Sequence, residues 1–328
     1  MLSSLAVVLE QPERIALTEL ALDPPGAGDV VVETEWSGIS AGTERLLFKG
    51  RMPPFPGMGY PLVPGYESVG RVVDAGREAG LEIGAQVFVP GARCFGPVRG
   101  LHGGAASHLV AAASRVVPVS ASLGEKAVLF ALAATAFHAL AGSATGDGVL
   151  IVGHGVLGRL LARLAVLAGG KPPVVWEKNA ARTGGAVGYE VTAPEEDKRA
   201  DYRTIFDVSG DSEILDALIQ RLGPEGEIVL AGFYDRVSFG FPPAFMREPR
   251  IRIASAWRDG NLAEVARLVE AGRLSLEGLV THRRLSAQDM RLRSGQRRGR
   301  EESLAERHER FLQSRTILRQ DGSSKAIG

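Results

Sequence analysis

The 328-residue sequence predicts an α/β protein: a β-rich N-terminal domain followed by a doubly wound parallel sheet. Three features point there. The first 120 or so residues are strand-like and broken by proline and glycine, and from about Leu123 strand and helix signals alternate. A glycine-rich turn, GHGVLG, joins one strand signal directly to a helix signal.

In the first half, MLSSLAVVLEQPERIAL (1–17) holds one short apolar stretch, interrupted by Glu10, and reads as an opening strand. Val30, Val32, Thr34 and Trp36 alternate with Val31, Glu33 and Glu35, the period of a half-buried strand. FKGRMPPFPGMGYPLVP (48–64) holds too much proline and glycine for a helix or a central strand. It predicts a shaped loop that carries Phe55, Met58 and Tyr60 outward or into a cleft, the competing reading being a packed surface loop.

In the second half, GVLIVG predicts a strand, 158–169 a helix, VVWE a strand, TIFDVSG a strand, SEILDALIQRLG a helix ending at Gly223, and EIVLAG a strand. NLAEVARLVEAG predicts a further helix with Asn261 at its N-cap and Gly272 just past its end. These signals divide the chain into a first domain at 1–122, a second at 123–257, a segment at 258–284 expected to return to the first domain, and a tail at 285–328. The tail carries ten Arg and Lys residues with little apolar pattern and is expected to pack poorly.

Composition narrows the function. Lys plus Arg and Asp plus Glu both number 38, so there is no net positive field to draw the chain onto nucleic acid. Cys94 is the sole cysteine, which excludes an internal disulfide and any four-thiolate zinc site and fits a reducing, cytoplasmic setting. No basic leader precedes the first apolar run and no uninterrupted apolar window suits a membrane span; peripheral membrane contact stays open.

Gly153, Gly155 and Gly158 form GxGxxG between strand and helix, the setting in which this motif binds a dinucleotide. Gly153 permits the tight turn, Gly155 admits a pyrophosphate to the backbone, and Gly158 lets helix and strand approach. His154, Val156 and Leu157 complete the turn and the helix start, whose N–H groups favour an anion. Nineteen residues past Gly158, Glu177 stands where a carboxylate would receive the adenosine ribose hydroxyls and repel a 2′-phosphate, favouring NAD. Lys178 beside it is a cation that a 2′-phosphate could use.

SGIS (37–40), VPGYESVGRVVDAG (63–76), IGAQVFV (83–89), GGAASHLV (103–110), ATAFHAL (134–140), the glycine motif and DVSG (207–210) occur in the order found in the medium-chain dehydrogenase/reductase superfamily. The chain resembles that superfamily over roughly residues 5 to 282. The resemblance implies a GroES-like first domain, a Rossmann second domain, an NAD-dependent dehydrogenase and a dimer as a common assembly. It also implies that Thr135 and Ser209 border the nicotinamide. Zinc-dependent members carry cysteine where this chain has Ser40, and PGHE where it has Pro64, Gly65, Tyr66 and Glu67. Neutral hydroxyls bind zinc poorly, so no metal is expected. The run from Ser37 to Gly70 is similar to a branch that oxidises a hydroxyethyl group on a chlorin ring, which implies a large, flat tetrapyrrole substrate.

Without a metal, removal of the alcohol proton falls to a side chain or a water chain. The candidates are Glu67, Tyr66, Thr43, Ser40, His102 and His154. Glu67 would be the terminal acceptor with Tyr66 or Thr43 passing the proton; as a purely structural carboxylate it would instead bond nearby backbone or Arg71. Two other functions remain open: a zinc-free quinone or enoyl reductase using NAD(P)H, which Glu177 disfavours, and a non-catalytic pigment carrier.

Overall fold

The computed structural model describes residues 2–54, 56–234 and 236–281, so Phe55 and the arginine-rich tail lie outside the described residues. The described chain divides into two compact units, one running to Val128 and rejoined from Val280, the other spanning Leu129–Leu279.

In the first unit, β1 (Ser3–Gln11) and β2 (Arg14–Ala21) form an antiparallel hairpin. β3 (Asp29–Ser37) leads into α1 (Ala41–Phe48), an eight-residue helix with no strong sequence signal. β4 (Ser68–Ala75), β5 (Gln86–Val89), β6 (His108–Ala112) and β7 (Val117–Pro118) then complete an antiparallel sheet in the order β6-β3-β4-β5-β7.

The period-two reading of β3 holds only in part. Val30, Val31 and Val32 are all buried, whereas Trp36 is exposed. Irregularities in the pairing with β4, between Val31 and Val32 and between Thr34 and Trp36, reset the alternation. Phe48 ends α1, and the described residues of 49–64 form no helix and no strand beyond single bridges at Leu62. Its Met58 and Tyr60 do not point outward: they pack on Leu9, Leu47, Phe48, Met52, Leu62 and Leu101, and the Tyr60 hydroxyl donates to the Leu47 carbonyl. A phenol with its donor satisfied against an apolar cluster is more stable there than in water.

The second unit is a six-stranded sheet of β8 (Val149–Val152), β9 (Val174–Trp176), β10 (Glu190–Thr192), β11 (Tyr202–Asp207), β12 (Leu222–Leu230) and β13 (Arg250–Ile253). Its order is β10-β9-β8-β11-β12-β13 and every neighbouring pair is parallel. This is the doubly wound order that reverses direction beside its first strand, here between β8 and β11. Its helices are α2 (Phe130–Leu140), α3 (Val156–Ala168), α4 (Leu215–Arg221), α5 (Phe241–Arg247) and α6 (Asn261–Glu270). α3 buries Gly158, Leu160, Leu161, Leu164 and Ala165; truncating one such leucine to alanine typically costs about 2–5 kcal/mol.

Gly260, not Asn261, occupies the N-cap of α6, and the Asn261 side chain instead accepts from the Arg258 N–H at 2.7 Å. The segment 258–284 does not return to the first unit as expected: residues through Leu279 belong to the second, because the apolar face of α6 packs on α2. The run Ala121–Leu140 is apolar and long enough to cross a membrane by composition alone. Gly124 breaks it with φ 51°, and seven residues of α2 are buried inside the unit, which marks a core helix.

Candidate active site

The glycine turn sits at the carboxyl end of β8, beside the point where the strand order reverses, the usual ligand crevice of such a sheet. Gly153 has φ 106°, a conformation costly for any residue bearing a Cβ. A methyl group at Gly155 would meet nothing within 4 Å, leaving its backbone open to a ligand. One at Gly158 would stand 1.8 Å from the Gly153 carbonyl oxygen, so that position admits only hydrogen. Gly155 caps α3 without a side-chain bond and no acidic residue lies in the first turn, so the N–H groups at Val156 and Leu157 have no intrahelical acceptor. These residues fit a pyrophosphate.

Glu177 follows β9 directly. Its Oε2 accepts from the His154 backbone N–H at 3.2 Å and its Oε1 from the Asn179 N–H at 2.9 Å. The carboxylate is thus held beside the glycine turn while each oxygen keeps a lone pair for a further donor. Lys178 lies 3.8 Å from Asp211 in an exposed ion pair, so it does not stand unneutralised beside Glu177.

His154 occupies a place other than the one its sequence position suggests. Its ring does not face the turn's open side. The side chain is buried, with Nδ1 2.6 Å from the Arg182 carbonyl and Nε2 2.8 Å from the Tyr189 hydroxyl. Burial holds its pKa below the usual histidine value. Both ring nitrogens thus have partners within the second unit, in the 182–189 segment.

Thr135 donates to the Ala131 carbonyl at 2.9 Å within α2. The Ser209 N–H donates to Asp207 Oδ1 at 2.9 Å, and the Ser209 Oγ accepts from the Asp211 N–H at 3.1 Å. Asp207 itself is fully buried, its pKa raised by that burial against the bonds from Ser209 and Tyr234, whose hydroxyl stands 2.9 Å from Oδ2. The Asp207–Tyr234 pair was not evident in the sequence, since 27 residues separate its members.

In the first unit, the residues singled out for proton transfer gather around one phenol. Tyr66 Oη lies 3.3 Å from Thr43 Oγ1 on α1 and is also hydrogen-bonded to Ser40 at the N-cap of that helix. His102 packs edge-on against the Tyr66 ring, 4.9 Å between centroids. Burial raises the Tyr66 pKa strongly and the Glu67 charge adds to it, opposed by the bonds to Ser40 and Thr43. Burial, then Arg93, pushes the His102 pKa down to about 4. His102 is therefore a neutral, partly buried ring rather than a surface loop residue.

Glu67 is buried, and the Gly38 N–H donates to its backbone carbonyl at 2.7 Å. A methyl at Gly38 would stand 2.2 Å from Glu67 Oε2. Gly38 thus makes room for this carboxylate, a role carried by the SGIS motif but not evident in sequence. Glu44, buried in the first turn of α1, is a second carboxylate whose charge reaches Tyr66 and which sequence reading missed. Arg71 does not serve Glu67; it pairs with Glu35 at 2.8 Å.

Among the described residues no three His, Cys, Asp or Glu side chains gather as metal ligands. The donors at the place implied for zinc are the hydroxyls of Ser40 and Tyr66 beside Glu67, a set that does not fit that ion.

The alcohol dehydrogenase GroES-like domain family matches residues 26–121. The chain is 56% identical over 284 residues to 2-desacetyl-2-hydroxyethyl bacteriochlorophyllide A dehydrogenase of Rhodobacter capsulatus, covering 86% of this chain and 90% of that protein. For the protein of the same name in Cereibacter sphaeroides the identity is 53% over 285 residues, covering 85% and 90%. Two solved structures share the fold. One is 2R,3R-butanediol dehydrogenase from Bacillus subtilis, with TM-score 0.72 and 20% identity over 85% of this chain and 91% of that one. The other is L-idonate 5-dehydrogenase from Escherichia coli, with TM-score 0.73 and 18% identity over 84% and 89%. The chain belongs to the 2-desacetyl-2-hydroxyethyl bacteriochlorophyllide A dehydrogenase family, within the medium-chain dehydrogenase/reductase superfamily.

Proposed function

We propose that this protein oxidises the 1-hydroxyethyl group of a bacteriochlorophyllide to acetyl, using NAD and no catalytic zinc. The substrate class rests on one observation, the 56% identity to a relative whose name specifies that compound. The overall change is R–CH(OH)–CH3 plus NAD+ giving R–CO–CH3, NADH and a proton. Bound NAD supplies the hydride acceptor; Gly153, Gly155, Val156, Leu157 and Glu177 are the residues that would hold it.

The protein's own task is the proton. An alcohol does not ionise unaided near neutral pH, so the hydroxyl must hand its proton on as the hydride leaves. Tyr66 stays protonated throughout the working range, which makes it a relay between hydroxyls rather than a standing base. In this reading the proton passes through Tyr66, with Ser40 and Thr43 orienting the phenol, towards Glu67. His102, neutral and packed on the ring, fixes the phenol's position. Glu177 supports NAD over NADP, because a fixed carboxylate repels a 2′-phosphate.

The test is incubation of the purified protein with the hydroxyethyl chlorin and NAD or NADP, following acetyl formation by the pigment's absorbance shift. Acetyl product with NAD supports the reading. Quinone reduction with NADPH alone would replace it with a reductase, and pigment binding without turnover would leave a carrier.

A further inference from the structure

The crossover from β9 to β10 departs from the doubly wound pattern. Between Trp176 and Glu190 the described chain has no α-helix, only a single 3-10 turn at Ala180–Arg182. It includes Gly184, Gly185 and Gly188, the last two with positive φ. Such a strap has high conformational freedom and little apolar surface to hold it down. It nevertheless begins with Glu177, the residue proposed to receive the adenosine ribose.

What fastens the strap is the histidine inside the glycine turn. The Arg182 carbonyl can only accept, so His154 Nδ1 carries the hydrogen of that 2.6 Å bond. In the neutral ring Nε2 is then the acceptor, and the Tyr189 hydroxyl donates to it at 2.8 Å. The two bonds hold the strap near its middle and at its end. Arg159, in the first turns of α3, adds donors to the His154 carbonyl at 3.2 Å, the Arg182 carbonyl at 3.3 Å and the Gly184 carbonyl at 2.9 Å. The His154 backbone N–H meanwhile holds Glu177 at 3.2 Å. One residue therefore ties together the phosphate turn, the ribose carboxylate and the strap between them.

We propose that His154, with Tyr189, is a positioning latch for the dinucleotide: it fixes the 177–189 strap so that Glu177 is presented to the adenosine half, without touching the reacting atoms. This rests on the cofactor reading above.

The test compares the full-length protein with His154→Ala, His154→Asn and Tyr189→Phe by calorimetric titration with NAD, kcat at saturating NAD, and amide hydrogen exchange across 182–189. His154→Ala should weaken NAD by about tenfold, the scale of two lost neutral hydrogen bonds. kcat at saturation should fall much less, and exchange across the strap should quicken. His154→Asn, whose amide nitrogen stands near the position of Nδ1, should recover part of the affinity. Tyr189→Phe should weaken NAD by about threefold and also quicken exchange. It keeps the test decisive if the alanine variant does not fold. Unchanged NAD affinity in a folded His154→Ala or in Tyr189→Phe would overturn the latch while leaving the cofactor reading intact. Wild-type protein without NAD affinity would end the cofactor reading and the positioning role with it.

Discussion

Thr43 and Tyr66 meet hydroxyl to hydroxyl at 3.3 Å, one from the first turn of α1 and the other from the loop before β4. With Ser40 on the same phenol, they bring three hydroxyls together. Because a buried phenol resists ionisation, the proposed relay through Tyr66 would pass a proton on rather than hold a charge.

Tyr66→Phe keeps the ring against His102 and removes only the hydroxyl. Turnover of the hydroxyethyl chlorin should drop by about 10²–10⁴-fold, the usual contribution of a positioned proton-transfer group. Thermal unfolding should shift little. Initial rates and a melting curve check both, and a loss under threefold would remove Tyr66 from the relay.

Gly155→Ala and Gly158→Ala separate ligand contact from packing. The first adds a methyl into open space at φ −73°, so stability should change by less than about 0.5 kcal/mol while NAD affinity falls at least tenfold. The second places carbon 1.8 Å from the Gly153 carbonyl and should destabilise the second unit by several kcal/mol. Urea unfolding beside nucleotide titration distinguishes them; equal stability losses would contradict the roles assigned to the two glycines.

If Glu177 receives the ribose as proposed, Glu177→Gln should narrow the preference for NAD over NADP, since it removes the charge while keeping an acceptor. The ratio of kcat/KM for the two nucleotides measures this. An unchanged ratio would detach Glu177 from the ribose.

His102, pushed down to about 4 when folded, returns to roughly 6.5 on unfolding. The unfolded chain therefore binds more protons at this residue between pH 6.5 and 4, and its contribution to stability, complete above pH 6.5, is lost as pH falls through that window. His102→Asn should remove on the order of 1–2 kcal/mol of the stability difference between pH 7 and pH 5. Denaturant titrations at both values would show it, and identical pH dependence in wild type and variant would contradict it.

The fold was largely legible because its signals are local. Strand, glycine turn and helix around Gly153–Gly158 lie within about twenty residues, helical spacing marks α3, and short apolar runs mark β8, β11 and the second half of β12, whose start at Leu222 and Gly223 lies where the sequence suggests the end of a helix. α1 escaped notice because eight residues with Gly42 and no side-chain cap carry too little periodicity. The alternation in β3 misled where the ladder to β4 slips. Ser40, Thr43, Tyr66 and His102 are each candidates in the sequence, but the hydroxyl contacts of the first three and the His102 ring against the phenol depend on tertiary packing between separate segments. His154 shows the reverse: its place in the motif suggested a ligand contact, whereas the strap lacking a helix gave its ring two partners elsewhere.

The most direct measurement is turnover of the hydroxyethyl chlorin by protein stripped of metal with a chelator, its zinc content determined in the same sample. The expected result is NADH and acetyl product formed in equal amounts at the untreated rate, with no stoichiometric zinc present. Activity that vanishes on stripping and returns with zinc would contradict a proton path built from Ser40, Thr43 and Tyr66.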